Sequence, residues 1–272
     1  MSALVLARCR RAVFVAILVL AFAAPSSAQV FAYIPDNLDR TVSVIDTTTD
    51  TVVATIDLGI PYPYGVACHP DGTRVYVGGT GVGSAGTIYL IDVATQTWVD
   101  SVAVGKSPQG LAALPDGSRL YVANHSDDTV SVIDTATFTV TGTIPLDENV
   151  APYGVVAHPD SSTVYVSNNL GPSVSVIDVA TSTVTATIPV QAQPKGITID
   201  PDGDFVYVGN HLADSVSVID TATNTVVDTI IVGGIVSDFP TALAMHPDGG
   251  TLYVSLNRAS PVTPLSTVAV VD

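Results

Sequence analysis

The sequence predicts an all-β fold, a β-propeller built from four-stranded antiparallel blades. The first observation is a tract that ends in aspartate and recurs at intervals of 42 to 52 residues along the 272-residue chain. Its copies lie at 41–46, 87–92, 129–134, 173–178, 215–220 and 267–272. The second observation is that no helical periodicity follows residue 29. A strand-rich unit that repeats at this period is the signature of a propeller blade.

One repeat shows how a blade is built. Four runs rich in β-branched or apolar residues alternate with turn residues such as Pro115-Asp116-Gly117. This pattern predicts a four-stranded meander, with strands named A to D from the innermost outward. In this repeat the four runs are 110–114, 119–124, 129–134 and 139–144.

The repeats divide a single domain, residues 29–272, into six blades. We place them at 30–58, 59–104, 105–147, 148–190, 191–232 and 233–272. The first blade lacks strand A and the last lacks strand D, so two of the six are incomplete. Propellers usually close by completing one blade from both termini. We therefore expect the chain to be a fragment of a seven-bladed ring truncated after Asp272; the alternative is a six-bladed ring that closes imperfectly.

Residues 1–28 have the pattern of a signal peptide. Arg8, Arg10 and Arg11 precede an apolar run over 12–24, and small residues follow at 26–28. The run is shorter than the ~20 residues that a membrane-spanning helix needs. We expect a secreted, cell-surface or periplasmic protein with no membrane insertion after cleavage; the alternative is an uncleaved anchor.

Composition narrows the classes of partner. The formal net charge is −16, which argues against nucleic acid because phosphate binding needs clustered Lys and Arg. Most of the aspartates fall at turns, where a short carboxylate can bond the local backbone. Cys68 is the one cysteine after the predicted leader, so the chain has no disulfide framework.

The variable loops supply the candidate site. Antiparallel connectivity sends the D–A and B–C loops to one face, and these loops differ between blades whereas the other turns are nearly uniform. Each D–A loop ends in Pro-x-Gly or Pro-Thr-Ala, and its middle residue is expected at the mouth of the central channel. The candidate ligand-binding residues are Tyr64, Gln109, Tyr153, Lys195 and Thr241, with His125, Asn169 and His211 from B–C loops. Binding sites favour such loops and mouths; the alternative is that these residues only cap loops.

No metal site is predicted. His69, His158 and His246 each precede Pro-Asp at the A–B turn. They belong to different blades, so filling the corner of the turn is the preferred interpretation over metal ligation. The repeated aspartates lack a calcium-loop pattern and are expected to cap their own turns.

The tetrapeptides of strand B carry a family resemblance. They read YVAN at 121–124, YVSN at 165–168 and YVGN at 207–210, each in register with a preceding Pro-Asp turn and a following S-V-I-D tract. With these motifs the mature chain resembles the YVTN-family β-propeller repeat proteins. The resemblance implies a propeller, commonly seven-bladed, exported to the surface of bacteria or archaea. The chain also resembles surface-layer proteins and, more distantly, quinoprotein-like propellers. The YVTN family supplies no catalytic residue that could be assigned to this chain.

The sequence therefore favours an exported, non-enzymatic propeller that acts as a binding or interaction scaffold. A protein or a cell-surface glycan is the expected partner, no catalytic residue and no cofactor are predicted, and no oligomeric state is defined. The alternative is an enzyme or cofactor-binding propeller, either a lactonase-like hydrolase or a quinoprotein-like oxidoreductase subunit.

Overall fold

The structure is a computed structural model that describes residues 30–59, 62–79, 85–232, 238–258 and 266–271. The predicted signal peptide and Asp272 lie outside these residues, so both the export and the truncation stay predictions. The described residues form strands in six antiparallel sheets, four with four strands and two with three. The predicted all-β propeller is confirmed, with blades 1 and 6 as its three-stranded members.

The strands follow the chain order without crossovers within a sheet. Blades 1 to 3 contain β1 (Phe31–Asp36), β2 (Thr41–Asp46), β3 (Thr51–Asp57), β4 (Pro63–Cys68), β5 (Arg74–Gly79), β6 (Ala85–Asp92), β7 (Thr97–Lys106), β8 (Pro108–Ala113), β9 (Arg119–Asn124), β10 (Thr129–Asp134) and β11 (Thr139–Pro145). Blades 4 to 6 contain β12 (Pro152–Ala157), β13 (Thr163–Asn168), β14 (Ser173–Asp178), β15 (Thr183–Pro189), β16 (Pro194–Ile199), β17 (Phe205–Asn210), β18 (Ser215–Asp220), β19 (Thr225–Ile231), β20 (Asp238–Met245), β21 (Leu252–Arg258) and β22 (Ser266–Val271).

The core lies between neighbouring blades. In blades 2 to 5, strands B and C bury both faces, as in β9 and β10, because a neighbouring blade covers each face. Tyr33 and Val44 of blade 1 pack with Val75 and Ile91 of blade 2 in one such cluster. Equivalent clusters join each later pair of consecutive blades. No blade buries its own apolar surface, so the array is stable only as an assembly of blades.

The repeated aspartates cap their own turns. Oδ1 of Asp134 accepts hydrogen bonds from the backbone N–H and the hydroxyl of Thr137, at 2.7 and 2.9 Å. Asp178 holds Thr181 in the same way, with both bonds at 2.7 Å. A cap of this kind is a usual role for aspartate at a turn. The prediction that these carboxylates serve turn structure is confirmed for the described copies.

Hydrogen bonds from histidines of the A–B turns join neighbouring blades. Nε2 of His69 in blade 2 donates to the carbonyl oxygen of Gly117 in blade 3, at 3.0 Å. His158 of blade 4 reaches Gly203 of blade 5 at 3.1 Å. These histidines therefore link separate pairs of blades, which is the corner-filling role that the sequence predicts for them.

In the part of the chain that the structure describes, no helix meets the length and hydrophobicity that a membrane span requires.

Candidate functional site

A β-bulge at the start of each innermost strand positions the variable residues. In blade 4 Pro152 pairs with Asn168 but Val155 pairs with Val166, so one extra residue lies between them. The same irregularity follows the proline of the D–A loop in blades 2, 3 and 5. A bulge re-aims the side chain that it contains. The residue after the proline is thus turned toward the central axis of the propeller.

The glycine that follows allows the innermost strands to lie side by side. A Cβ added to Gly110 would overlap the backbone carbonyl oxygen of Tyr153 in the next blade. Gly154 stands in the same relation to the carbonyl of Lys195. The close approach excludes any side chain at these positions, so the Pro-x-Gly tripeptide sets both the strand spacing and the direction of its middle residue.

The innermost strands enclose a cavity of about 300 Å³. Its lining includes all five residues that the sequence places at the channel mouth, from five different blades: Tyr64, Gln109, Tyr153, Lys195 and Thr241. The structure thus brings these residues together around one space. That they bind a ligand stays a prediction.

Two tyrosines from blades 2 and 4 meet across the mouth. The hydroxyl groups of Tyr64 and Tyr153 are hydrogen-bonded, and their rings are nearly perpendicular, with centroids 5.9 Å apart. Burial raises the pKa of both phenols. Both hydroxyls are therefore protonated at neutral pH, and because one donates to the other, a single hydroxyl hydrogen is left to donate to a ligand.

Lys195 brings a positive charge to the same place. Its Nζ lies 5.8 Å from the ring centroid of Tyr153, within the range of a cation–π contact. Burial lowers the pKa of its ammonium group. Lys195 is the one charged side chain among the described residues that line the cavity. The site is therefore locally cationic in a protein whose net charge is −16.

The three candidates from B–C loops lie around the cavity and not in its lining. The ring of His125 packs edge-on against Tyr153, with centroids 6.3 Å apart. His211 packs on Phe239 at 4.9 Å. Asn169 donates from Nδ2 to the carbonyl of Pro194 at a long 3.5 Å, which supports a loop. These contacts tie the three residues to neighbouring loops; that they bind a ligand stays a prediction.

The charge of Lys195 acts on both histidines. Burial and Lys195 lower the pKa of both His125 and His211. Asp128 opposes this shift at His125, and the hydrogen bond to the Pro240 carbonyl and then Asp214 oppose it at His211. The Asp128 carboxylate is engaged with backbone, since its oxygens accept from the N–H groups of Asn149 and Ala151 at 2.8 Å. The net result is a pair of histidines that favour the neutral form beside a cationic lysine.

Sequence reasoning missed the apolar wall of the cavity. Below the mouth the partly exposed lining consists of small and aliphatic side chains on the innermost strands. They include Ala112, Ala113, Val156, Ala157, Ile197 and Leu243. Phe239, which holds His211, was also missed, although its position directly before the D–A proline of blade 6 marked it as a loop residue next to the mouth.

The described residues contain no group of three or more His, Cys, Asp or Glu side chains close enough to hold a metal ion. The three histidines of the A–B turns lie in blades 2, 4 and 6, and the described ones among the repeated aspartates are spread over five blades. The donor sets that the sequence weighed for metal are therefore not brought together within the described part.

The comparisons with known proteins agree with this architecture. Residues 133–268, half of the chain, match the family described as lactonase, 7-bladed beta-propeller. The chain belongs to this family of β-propellers. The match covers Tyr153, Lys195 and Thr241 at the cavity mouth as well as His211. A search of curated proteins found no match.

Two solved structures share the fold. A chain of the Kuenenia stuttgartiensis hydrazine synthase superposes with a TM-score of 0.68 at 24% identity, covering 77% of this chain and 62% of that one. This chain thus spans less than two thirds of that relative's length. A functionally unknown protein from Desulfotomaculum acetoxidans gives a TM-score of 0.72 at 17% identity, covering 88% of this chain and 78% of that one. At these identities the likeness concerns the fold alone.

Proposed function

We propose that the protein is a binding propeller whose central cavity takes a small, negatively charged ligand. The observation that carries this proposal is the cavity mouth, where Lys195 and the paired hydroxyls of Tyr64 and Tyr153 converge and no carboxylate is among the described lining residues. An ammonium group and a phenolic hydroxyl are strong donors to a carboxylate or phosphate oxygen. A half-buried lysine strengthens such a contact because the surrounding dielectric is lower than that of water.

The contrast between the cavity and the rest of the molecule adds to the argument. A net charge of −16 repels anions from most of the surface. A cationic mouth in that setting selects for a ligand small enough to enter the cavity, where the field of Lys195 dominates. A cation would have to displace or neutralise Lys195, which makes metal ions and amines poor ligands for this site.

Lys195→Met tests the proposal. Calorimetric titration with a panel of small carboxylates and phosphate esters is expected to find ligands that bind the native protein and bind the variant at least about tenfold more weakly, the value of a lost charged hydrogen bond. Lys106→Met is the matched control, because Lys106 is an exposed lysine paired with Asp127 at 3.2 Å and does not line the cavity. Equal affinity of the native protein and of Lys195→Met for every ligand would place binding elsewhere.

A second candidate function is hydrolysis of a lactone in the same cavity, which the family match favours. Water would add to the lactone carbonyl carbon and the ring C–O bond would break, giving a hydroxy acid. The Tyr153 hydroxyl and the Lys195 ammonium would stabilise the negative charge that develops on the carbonyl oxygen. The product would be an anion of the class proposed above.

A titration of released acid separates the two candidates. Incubation with five- and six-membered lactones is expected to show turnover faster than the rate in buffer alone. This turnover is expected to fall in Tyr153→Phe. Anion binding without any lactone turnover would support the binding function and contradict the catalytic one.

The exported location, the surface role and a protein or glycan partner on the variable face stay part of the proposal. The sequence pattern of residues 1–28 supports export. When the protein is expressed in bacterial cells, N-terminal sequencing of the extracytoplasmic fraction is expected to find a chain that begins at Gln29. Full-length protein in the cytosol would contradict it.

A further inference from the structure

The cavity is a shaft that runs along the innermost strands. Tyr64 lies at its mouth and Cys68, at the other end of β4, also lines it. Tyr153 and Ala157 mark the same two levels on β12. Four residues of extended strand span about 13 Å. The space therefore has a depth that a single carboxylate or phosphate group at the mouth would not fill.

The wall of the shaft is apolar over most of this depth. Below the mouth the partly exposed lining is Ala112, Val156, Ala157, Ile197 and other side chains without polar atoms. Cys68 adds a thiol, and burial raises its pKa to about 11, so it remains uncharged. The side chains in this lower part offer a polar ligand few hydrogen-bond partners to replace water, whereas they can pack against an alkyl chain.

The polar side chains other than Cys68 are confined to one end. The Tyr64–Tyr153 hydroxyl pair and Lys195 lie one residue after the prolines that begin their strands. Gln109 and Thr241 complete this level from blades 3 and 6. The hydroxyl of Thr241 is engaged with Ser255 at 2.9 Å. The site therefore separates a cationic, hydrogen-bonding rim from an uncharged shaft within one small space.

This geometry points to a particular class of ligand: we infer that the cavity binds an amphipathic monoanion, with a carboxylate at Lys195 and the tyrosine pair and a short unbranched alkyl tail in the shaft. The inference rests on the proposed anion-binding function and adds the tail. A volume of about 300 Å³ is at the lower end for ligand pockets, which limits the tail to a slender, short chain. Small side chains such as Ala112 and Ala157 leave room along the wall, as a chain in the shaft requires.

Calorimetric titration with straight-chain carboxylates of four, six, eight and ten carbons tests the inference. Affinity is expected to rise about fourfold for each added methylene, the value of burying one methylene group, until the tail fills the shaft, and then to level off. Gluconate and inorganic phosphate serve as anions without an apolar tail. The matching straight-chain amines serve as tails with the wrong charge and are expected to bind at least about tenfold more weakly.

Two variants separate the rim from the shaft. Lys195→Met is expected to weaken the binding of every carboxylate by a similar factor and to leave the gain in affinity per methylene unchanged. Ala157→Leu extends a side chain into the lower shaft and is expected to remove the gain of the longer tails while the four-carbon acid binds as in the native protein. Ala113→Val is a smaller change with the same expected direction, should the leucine variant fold poorly.

The outcomes distinguish the tail from the anion site. If gluconate or phosphate binds with dependence on Lys195 and no carboxylate gains affinity with length, the amphipathic class is wrong and the anion-binding function stands. If the amines bind as tightly as the carboxylates, the class is also wrong, because the rim does not select charge. If none of these anions binds the native protein, the inference fails together with the function on which it rests.

Discussion

At the scale of single residues, side chains far apart in sequence join blades that the repeat pattern treats as separate. Tyr33 on strand B of blade 1 donates from its hydroxyl to Oε1 of Gln96, in the C–D turn of blade 2, at 3.0 Å. The equivalent turn position in blade 3 is Phe138, which instead stacks on Tyr76 with centroids 6.0 Å apart. The same position in the turn therefore serves equivalent interfaces with different chemistry in these two blades.

Gln96→Met tests the polar version of this contact. The change keeps the length of the side chain and removes the acceptor, so the partly buried Tyr33 hydroxyl loses its partner. We expect a loss of about 1–2 kcal/mol in the free energy of unfolding, measured by urea denaturation. Tyr33→Phe in the Gln96→Met background should cost nothing further, and a cycle of the four proteins should show coupling. Additive effects of the two substitutions would contradict the role of this bond.

At the scale of elements, the spacing of the innermost strands depends on glycine. Gly110 of β8 approaches the backbone of Tyr153 and Gly154 in the next blade so closely that a Cβ would overlap it. Gly142 of β11, on the outer edge, has nothing within 4 Å of an added Cβ. The two glycines occupy strands of the same blade and differ only in what surrounds them.

Gly110→Ala is therefore expected to destabilise the protein by about 1–3 kcal/mol, as overpacking does, whereas Gly142→Ala should be neutral or slightly stabilising. Because Gly110 also lines the cavity, the first variant should weaken ligand binding as well. Chemical denaturation of both variants measures the difference. Equal effects would show that strand spacing is not the constraint.

The aspartate turns predict a dependence of stability on pH. Hydrogen bonds from turn threonines lower the pKa of Asp92, Asp134, Asp178 and Asp220 in the folded state. A lowered folded pKa gives stability that is present above the unfolded value, near about 3.9, and is lost as pH falls through the folded pKa. The free energy of unfolding should thus be steady from pH 7 to about 5 and decline below about pH 4.

Asp178→Asn separates this effect from general acid damage. Asparagine keeps an acceptor oxygen for Thr181 but does not titrate in this range. The variant should be less stable than the native protein at pH 7, and the difference should shrink as the pH falls below 4, which urea titrations at each pH would measure. A difference that stays constant with pH would show that the charge of Asp178 has no part in the turn.

For the molecule as a whole, the sequence predicts the features that recur in every blade and misses contacts that occur once. The period, the turns and the order of the strands follow from local patterns such as Pro-Asp-Gly and Ser-Val-Ile-Asp, and the structure has them. The five mouth residues were found because a repeated tripeptide marks their place. The hydroxyl contact between Tyr64 and Tyr153 could not be predicted, because it joins residues 89 apart whose meeting depends on blade number and curvature.

The apolar shaft escaped prediction for a related reason. Ala112 and Val156 lie on strands whose apolar residues are expected to fill the cores between blades, and the sequence does not show which of them also face the axis. That distinction depends on the bulge after the proline, which shifts the register by one residue. A bulge leaves no mark in the hydrophobic pattern that separates it from an ordinary strand start.

The excess of negative charge gives the last prediction, which belongs to the whole chain. With 25 acidic and 9 basic residues, repulsion between carboxylates opposes the folded state. Raising the ionic strength from 0.01 to 0.15 M shortens the Debye length from about 30 to about 8 Å, so sodium chloride should raise Tm, with most of the increase below about 0.15 M. Sucrose does not screen charge and should give a steady increase instead. A Tm that is insensitive to salt, or falls with it, would contradict the argument. Chloride bound at Lys195 would also raise Tm, so the same salt titration on Lys195→Met separates the two causes. Screening predicts that the increase in Tm persists in the variant, because screening acts on the carboxylates of all six blades and not on the cavity.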